Sequence, residues 1–210
     1  MSNGVTETAG SVSMPVLGRW DGGSCPFDTG WRKLMMWVFI VGDGLIFAGF
    51  LAAFGFARAM TAEWPDQSQV FHLSLIAFMT FVLISSSATM ASAVGCARDG
   101  DLAGASKWVF LTLLGGALFL GIQAYEWTTL IGEGARLNHN PWGVPLFGAY
   151  FFLITGFHGF HVLTGVIVLA TLAWRMSRGV ATSGGVELAG LYWHFIDLVW
   201  VFVFTCFYLL

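Results

Sequence analysis

Five long apolar stretches, separated by short polar or Pro/Gly-containing segments, dominate the sequence of 210 residues. A helix needs roughly 20 apolar residues to cross a hydrocarbon core that is about 30 Å thick. Runs such as LIAFMTFVLISSSATMASAV do not alternate between apolar and polar residues, whereas the strands of a membrane barrel do. The pattern predicts an all-α integral membrane protein, a bundle of five transmembrane helices with spans at about 33–58, 68–97, 107–131, 146–175 and 188–210.

The composition supports a membrane protein and excludes several other classes. Apolar residues make up 57% of the chain and charged residues 10%, against roughly 45–50% and 25% in ordinary soluble domains. So few charges cannot cover a water-soluble surface, which excludes a soluble domain, a disordered chain and a nucleic-acid partner. The cysteines Cys25, Cys96 and Cys206 form no CxxC or CxxCH spacing, so neither a disulfide framework nor covalent haem attachment is predicted.

Lysine and arginine residues are distributed unevenly between the two sides of the predicted bundle. The side with the N-terminal tail and the second and fourth loops carries all of them except Arg58 and Arg136. Because basic residues are enriched in cytoplasmic segments, this predicts a cytoplasmic N-terminus and a C-terminus on the periplasmic or outer side. Residues 1–30 lack the pattern of a signal peptide and are predicted to be a cytoplasmic tail, with residues 31–210 as the transmembrane domain.

Polar side chains within the predicted spans carry most of the functional information, because each is costly in a bilayer. The candidates are Asp43 in the first span, Gln123 and Glu126 in the third, His158 and His161 in the fourth, and Glu187, His194, Asp197 and Trp200 in the fifth. Three interpretations are open: a metal or haem site, a proton or ion path through an autonomous transporter, and structural groups that bond between helices or hold lipid headgroups. The residues favour the third interpretation, which by itself names no function.

Several segments resemble those of a known family. The resemblance rests on GIQAYEW at Gly121–Trp127, TGFHGFHVLTGV at Thr155–Val166, YWHFIDLVWVF at Tyr192–Phe202, WRKLMMWVFIVGDGLIFAGFLAAF in the first span and SSSATMASA in the second. In this order they are similar to subunit III of the haem–copper respiratory oxidases, the cytochrome c oxidase family. The resemblance runs from about residue 31 to residue 210 and is to the five-helix bacterial type, which lacks the first two helices of mitochondrial members.

The resemblance implies an accessory subunit of an oxidoreductase complex in the bacterial inner membrane, without a catalytic residue or metal ligand of its own. The haems and copper would lie in partner subunits. This chain would pack directly on subunit I, with subunit II and small subunits in the same complex, and would bind phospholipid in a cleft and support proton uptake and sustained turnover. The residues expected to be structural or lipid-associated are Asp43, Glu126, His158, His161, Glu187, His194, Asp197 and Trp200, and those expected near cytoplasmic headgroups are Arg32, Lys33, Arg98 and Arg175.

The electron donor depends on finer features of the sequence. Asp43 occupies a position where cytochrome c oxidase members commonly carry Glu, and an Asp there also resembles quinol oxidases and an accessory subunit of nitric oxide reductases. GIQAYEW and FHGFHV resemble the cytochrome c branch, which is therefore the expected one. The alternatives are subunit III of a quinol oxidase, the nitric oxide reductase subunit and, more remotely, an autonomous transporter or membrane cytochrome.

Overall fold

The computed structural model describes residues 30–209, and within this part of the chain all regular structure is helical. The helices are α1 (Trp31–Met60), α2 (Gln67–Val70), α3 (Leu73–Arg98), α4 (Leu102–Gly132), α5 (Pro145–Ser177) and α6 (Ser183–Phe204), followed by a π-helical turn at Thr205–Leu209. All except the short α2 are long and apolar enough to cross a membrane, when α6 is taken with its π-helical turn. This confirms the predicted all-α membrane protein with five spanning helices. The predicted tail lies outside the described residues, apart from Gly30.

The second spanning helix begins at Leu73, later than the start of about 68 that hydropathy indicates. Ahead of it, the carboxylate of Asp66 accepts hydrogen bonds from the amide (3.0 Å) and the hydroxyl (2.8 Å) of Ser68, and it caps α2. The chain then extends through Phe71, whose ring packs against those of Phe151 at 5.1 Å and Tyr208 at 4.6 Å. The break between α2 and α3 thus places an aromatic side chain at this end of the bundle.

Local signals in the sequence explain where several helices begin and turn. Asp101 caps α4 through a bond of 2.8 Å from the amide of Gly104, and Thr182 caps α6 through a bond from the amide of Gly185. Between α3 and α4 the chain reverses at Gly100, whose φ of +84° suits a residue without Cβ. The connections from α3 to α4 and from α5 to α6 are short, so these helices are antiparallel neighbours.

Helix α6 lies at the centre of the bundle and packs against α1, α3 and α5. Its Trp193 and Trp200 are fully buried. The indole N–H of Trp193 donates to Ser86 Oγ at 3.0 Å, and that of Trp200 donates to Thr80 Oγ1 at 3.0 Å. A Cβ at Gly165 of α5 would lie 2.9 Å from the Trp193 ring, so a residue without a side chain is needed for this close packing. Hydroxyl groups of α3 therefore accept the hydrogen bonds of both tryptophan indoles that are buried in the core.

Helix α1 lies at the edge of the bundle. Its buried side chains are only Asp43, Phe47 and Phe54. Towards its C-terminal end, Phe54 stacks on Phe207 at a ring distance of 4.0 Å. At its N-terminal end, the Lys33 ammonium lies 2.9 Å from the Glu187 carboxylate of α6. From its N-terminal end to about Phe39, α1 stands away from α5 and a cleft lies between the two helices, whereas further along the helix Phe47 packs against Phe157 of α5 at a ring distance of 5.0 Å.

Candidate functional site

The cleft has a volume of about 1100 Å³ and is bordered by α1, α5 and α6. Its walls are mainly apolar, with side chains such as Met35, Phe160 and Leu188. Arg32, at the start of α1, and Arg175, at the end of α5, line the same end of it. The cleft is therefore apolar along its length and cationic at one end, which is the polarity of a site for an amphiphile.

The deep part of the cleft is lined by His161, Thr164 and Tyr192. The Tyr192 hydroxyl lies 2.6 Å from Thr164 Oγ1 and also donates to the carbonyl oxygen of His161 at 3.3 Å. His161 Nε2 lies 3.3 Å from Asp43 Oδ2, and His161 Nδ1 lies 2.8 Å from the carbonyl oxygen of Phe157. These contacts join α1, α5 and α6 in the middle of the bundle.

The hydrogen-bond partner of His161 Nδ1 limits how the other ring nitrogen can interact with Asp43. A carbonyl oxygen only accepts hydrogen bonds, so Nδ1 of His161 carries a proton and donates it to Phe157. The other nitrogen then faces Asp43 favourably in two ways: as an imidazolium beside a carboxylate, or as a neutral ring that accepts from a protonated carboxyl. In both arrangements the pair shares one proton, which removes the cost of a net charge within the membrane.

Glu187 forms a second polar cluster where α1, α3 and α6 meet. Its Oε1 lies 2.9 Å from Lys33 Nζ and 2.8 Å from Arg98 Nη2. Lys33 and Arg98, two of the four headgroup candidates, are therefore paired with a protein carboxylate. The other two, Arg32 and Arg175, line the cleft. The structure thus separates the four headgroup candidates, which the sequence analysis treats as one group, into two that form ion pairs and two that line the cleft.

Glu126 lies on α4 near the opposite end of the bundle and is 7% exposed. Its Oε2 accepts from Gln123 Nε2 at 3.0 Å and from the Tyr208 hydroxyl at 3.4 Å. Its other oxygen has no hydrogen-bond partner among residues 30–209. A small cavity of about 20 Å³ lies beside it, lined also by His72 and Thr129.

The remaining polar candidates occupy three different environments. His158 is fully buried with no hydrogen-bond partner in the described chain, and its ring packs against Trp200 at 5.0 Å and Phe119 at 5.8 Å. His194 is half-buried, and its Nδ1 lies 2.7 Å from Ser87 Oγ. Asp197 is 5% exposed, and neither of its oxygens is hydrogen-bonded within residues 30–209.

The residues considered as metal or haem ligands do not converge. His161 pairs with Asp43, His194 with Ser87, and His158 lies among aromatic rings. Within the described part of the chain, no group of three or more His, Cys, Asp or Glu side chains is placed to hold a metal ion. Cys96 and Cys206 are free thiols, and Cys25 lies outside the described residues.

Several partners were not predicted from the sequence. Residues Ser86, Ser87 and Thr80 of α3 each bond a side chain of α6, and the Ser/Thr-rich run SSSATMASA contains two of them. That run could have indicated contacts between helices, since hydroxyls bond across helices in membranes. The contact between Tyr208 and Glu126 could not have been predicted in this way, because the two residues lie far apart in the sequence and no motif links them.

Comparisons with known proteins agree on one family. The family described as cytochrome c oxidase subunit III matches residues 22–210. Cytochrome c oxidase subunit 3 of Thermostichus vulcanus is 36% identical over 183 residues, covering 85% of this chain and 87% of that protein. Quinol oxidase subunit 3 of Bacillus spizizenii is 36% identical over 180 residues, covering 84% and 86%. A probable cytochrome c oxidase subunit 3 of Nocardia farcinica is 34% identical over 175 residues, covering 81% and 84%.

Proposed function

The chain belongs to the cytochrome c oxidase subunit III family, and we propose that it serves as the non-redox subunit III of a proton-translocating cytochrome c oxidase in aerobic respiration. As an oxidase subunit with five apolar helices, it is a multi-pass membrane protein that works in a complex with other oxidase subunits. We further propose that this membrane is a bacterial plasma membrane, that the chain packs directly on subunit I, and that its N-terminus lies on the cytoplasmic side.

The haems and copper of this complex belong, in the proposal, to subunits I and II. The contacts of the three histidines within the spanning helices support this division: His161 pairs with a carboxylate, His194 pairs with a hydroxyl, and His158 lies among aromatic rings. Buried polar groups with such internal partners stabilise contacts between helices. The role of this chain is therefore supportive, and its loss should affect how long the complex keeps working more than its redox centres.

The apolar cleft with its cationic end is the observation that carries the supporting role. We propose that it holds a phospholipid whose acyl chains lie against side chains such as Met35, Phe160 and Leu188 and whose phosphate lies between Arg32 and Arg175. Guanidinium groups suit this role because they bind phosphate oxygens in a bidentate manner. In the proposed orientation, which the positive-inside rule supports, this end of the bundle lies in the cytoplasm.

A phospholipid in the cleft would stiffen the contact between α1 and the rest of the bundle. It would thereby keep the adjacent face of subunit I, and the surface where protons enter, in a fixed shape. Removal of the subunit should leave the haem spectrum and initial oxygen reduction largely intact, while proton uptake slows or activity decays over many turnovers. Immediate loss of the haem signals would contradict this division of roles.

The lipid proposal is tested by removing the cations that line the cleft. In the purified complex, Arg32→Gln combined with Arg175→Gln should reduce co-purifying anionic phospholipid, measured by mass spectrometry after extensive detergent washing. Arg178→Gln is the matched control, because Arg178 lies at the same end of α5 but contacts the Trp174 ring at 5.2 Å and does not line the cleft. Equal lipid retention in all three proteins would overturn the proposal.

A quinol oxidase is the second candidate function. It is supported by a quinol oxidase relative with the same 36% identity as the cytochrome c oxidase relative, and by Asp43 in the first spanning helix. Oxygen consumption by the purified complex should be supported by reduced cytochrome c if the favoured function is correct. Consumption that is supported only by a quinol would identify the second candidate.

A further inference from the structure

The C-terminal part of α4 contains a buried carboxyl that the proposed function does not use. Glu126 is 7% exposed and lies six residues before the end of α4, which is about 9 Å along the helix axis. Its Oε2 accepts from Gln123 and Tyr208, whereas its Oε1 has no hydrogen-bond partner among residues 30–209. A buried oxygen without a partner is costly, because it gives up the hydrogen bonds that it makes in water. Glu126 therefore has the capacity for one more polar partner.

The cavity beside Glu126 has a volume of about 20 Å³, which is enough for a single water molecule. Thr129, one turn further along α4, lines it, together with His72 and Glu133. The two residues that bond Oε2 do not line the cavity, which leaves Oε1 as the oxygen on the cavity side. The last torsion of a glutamate side chain is soft, so a small turn of the carboxyl brings Oε1 to a water molecule in this cavity.

The surroundings of Glu126 differ towards the two sides of the membrane. His72 and Glu133 are exposed, and both lie at the end of the bundle where α4 ends. In the other direction, Phe119 is two turns before Glu126 and fully buried, and its ring packs against those of Trp200 at 4.8 Å and His158 at 5.8 Å. In the described chain, the side chains that bond Glu126 form no further hydrogen bond, so no hydrogen-bonded chain leads from Glu126 towards the middle of the bundle.

The π-helical turn at Thr205–Leu209 positions the hydroxyl that faces Glu126. Within it, the ring of Phe207 stacks on Phe54 at 4.0 Å, and the ring of Tyr208 packs against Phe71 at 4.6 Å. These contacts hold the Tyr208 hydroxyl 3.4 Å from Glu126 Oε2. Short π-helical turns occur frequently at functional sites. Tyr208 and Gln123 can thus both donate to the carboxylate that remains when Glu126 loses a proton.

Other titratable groups face Glu126 from the elements around it. They are His72 ahead of α3, Tyr125 on α4, Glu133 after α4, and Tyr208 in the π-helical turn. Helix α5 meets this part of α4 through Phe152 and Thr155, which contact Trp127 and do not titrate. Within residues 30–209 no cation forms a salt bridge with Glu126, so its charge is balanced only by gaining a proton.

We propose that Glu126 is a proton-binding site that exchanges its proton, through one water molecule in the adjacent cavity, with the aqueous phase at the end of the bundle where α4 ends. The carboxyl gives its proton to the water molecule, which passes it to the surface near His72 and Glu133. Gln123 and Tyr208 hold the remaining carboxylate, and the reverse transfer reloads it. The site binds and releases a proton from one side and does not conduct protons across the membrane. This goes beyond the proposed function and does not depend on the electron donor.

The first test follows Glu126 by infrared spectroscopy in sealed vesicles that contain the complex purified through a tagged chain. The C=O band that Glu126→Gln removes belongs to the protonated carboxyl. Raising the pH on the side where α4 ends should weaken this band, whereas raising it on the other side should not. An impermeant thiol label on a Glu63→Cys variant identifies the sides, because Glu63 is exposed in the connection between α1 and α2. No such band, a band that is insensitive to pH, or an equal response from both sides would overturn the inference.

The second test closes the cavity. Leu75→Phe places a larger side chain in its lining and should slow hydrogen–deuterium exchange of the Glu126 band about tenfold or more, the factor for a local opening that costs about 1.4 kcal/mol. Leu73→Phe is the matched control, because Leu73 is also half-buried in the first turn of α3 but does not line the cavity. Thr129→Val keeps the shape of the side chain, removes a hydroxyl from the lining, and should also slow the exchange. Exchange as fast as in the wild type in both cavity variants would overturn the inference.

The failure of this inference and the failure of the proposed function give different results. If the tagged chain recovers no oxidase subunit, the proposed function is wrong, and the infrared measurement still decides the role of Glu126. If oxidase subunits are recovered but the band does not respond as expected, the proposed function stands and only the proton-binding site is wrong.

Discussion

Helices α1 and α6 are both long, apolar and able to span a membrane, yet their positions in the bundle are opposite. Only three of the 30 residues of α1 are buried, against ten of the 22 residues of α6. The less buried helix is the one with the higher mean hydropathy. A lipid-facing helix needs apolar side chains on every exposed side, whereas a central helix can use glycine, tryptophan, histidine and aspartate when neighbouring helices accommodate them.

This contrast divides the molecule into a tightly packed core around α6 and a peripheral helix held at separate points. Helix α6 is held by tryptophan side chains that bond to α3, and one of them, Trp193, packs against Gly165 of α5 and Gly116 of α4. Helix α1 is held by the Lys33–Glu187 ion pair at one end, by the Asp43–His161 pair, and by aromatic contacts such as Phe47 with Phe157 and Phe54 with Phe207. Substitutions in the core should therefore affect the whole fold, whereas those along α1 should mainly affect the cleft.

The largest effect is expected from Trp193→Ala. This change removes a fully buried ring and its bond to Ser86, and it should lower the unfolding free energy by about 3–5 kcal/mol. Denaturation by a strong detergent, followed by circular dichroism, measures the change. Trp37→Ala is the control on α1, where the ring is 48% exposed, and should cost less than about 0.5 kcal/mol. Similar losses in both variants would contradict the contrast between the two helices.

A smaller effect is expected where α1 meets α5. Asp43→Leu leaves His161 without its partner and should cost about 1–3 kcal/mol, measured in the same unfolding experiment. Asp43→Asn should restore most of the stability, because the amide can donate to Nε2 of His161 and no shared proton is then needed. If both variants lose the same stability, the side chain at position 43 acts by size alone and the shared-proton interpretation is wrong.

A still smaller effect on stability is expected from Glu187→Gln, which removes the charge that pairs with Lys33 and Arg98. All three side chains are partly exposed, so the loss should be about 1 kcal/mol or less and should decrease at high salt. The N-terminal end of α1 should nevertheless move away from α6, and spin labels on the two helices would measure the longer distance. Glu133→Gln, at an exposed carboxyl after α4, is the control and should leave that distance unchanged. An unchanged distance in both variants would show that the contacts further along α1, and not this ion pair, hold its N-terminal end.

The sequence predicts those features of the fold that depend on local runs of residues, and it misses those that depend on contacts between distant residues. The five spanning helices were predicted because a run of apolar residues is a local feature. The break at residues 71–72 was missed, since Phe71 leaves the helix to reach Phe151 and Tyr208, and hydropathy does not detect such a contact. Short loops likewise make antiparallel neighbours of α3 and α4, and of α5 and α6, but they do not indicate that α1 parts from α5 at its N-terminal end.

The candidate site was predictable as a set of residue types but not as a set of pairs. Costly polar residues in apolar spans identified Asp43 and His161, yet their contact joins positions far apart in the chain. The sequence also gave no means of separating His161, which pairs with a carboxylate, from His158, which lies one turn away among aromatic rings. Such differences depend on which side of each helix faces its neighbours. The orientation of each helix depends in turn on the packing of the whole bundle.

The smallest effect is expected in the connection between α1 and α3. The bonds that the Asp66 carboxylate accepts from the hydroxyl and amide of Ser68 lower the pKa of Asp66 below its ordinary value. A carboxyl with a lowered pKa in the folded state stabilises the fold above its unfolded pKa, and this contribution is lost as the pH falls through the folded pKa. The α2 turn should therefore open in acid while α1 and α6 remain intact. Hydrogen exchange at the Ser68 amide should become faster than its intrinsic rate predicts as the pH is lowered. Asp66→Asn keeps an acceptor but does not titrate, so its exchange should show no such acceleration, and identical pH profiles for the two proteins would show that the cap does not hold this turn.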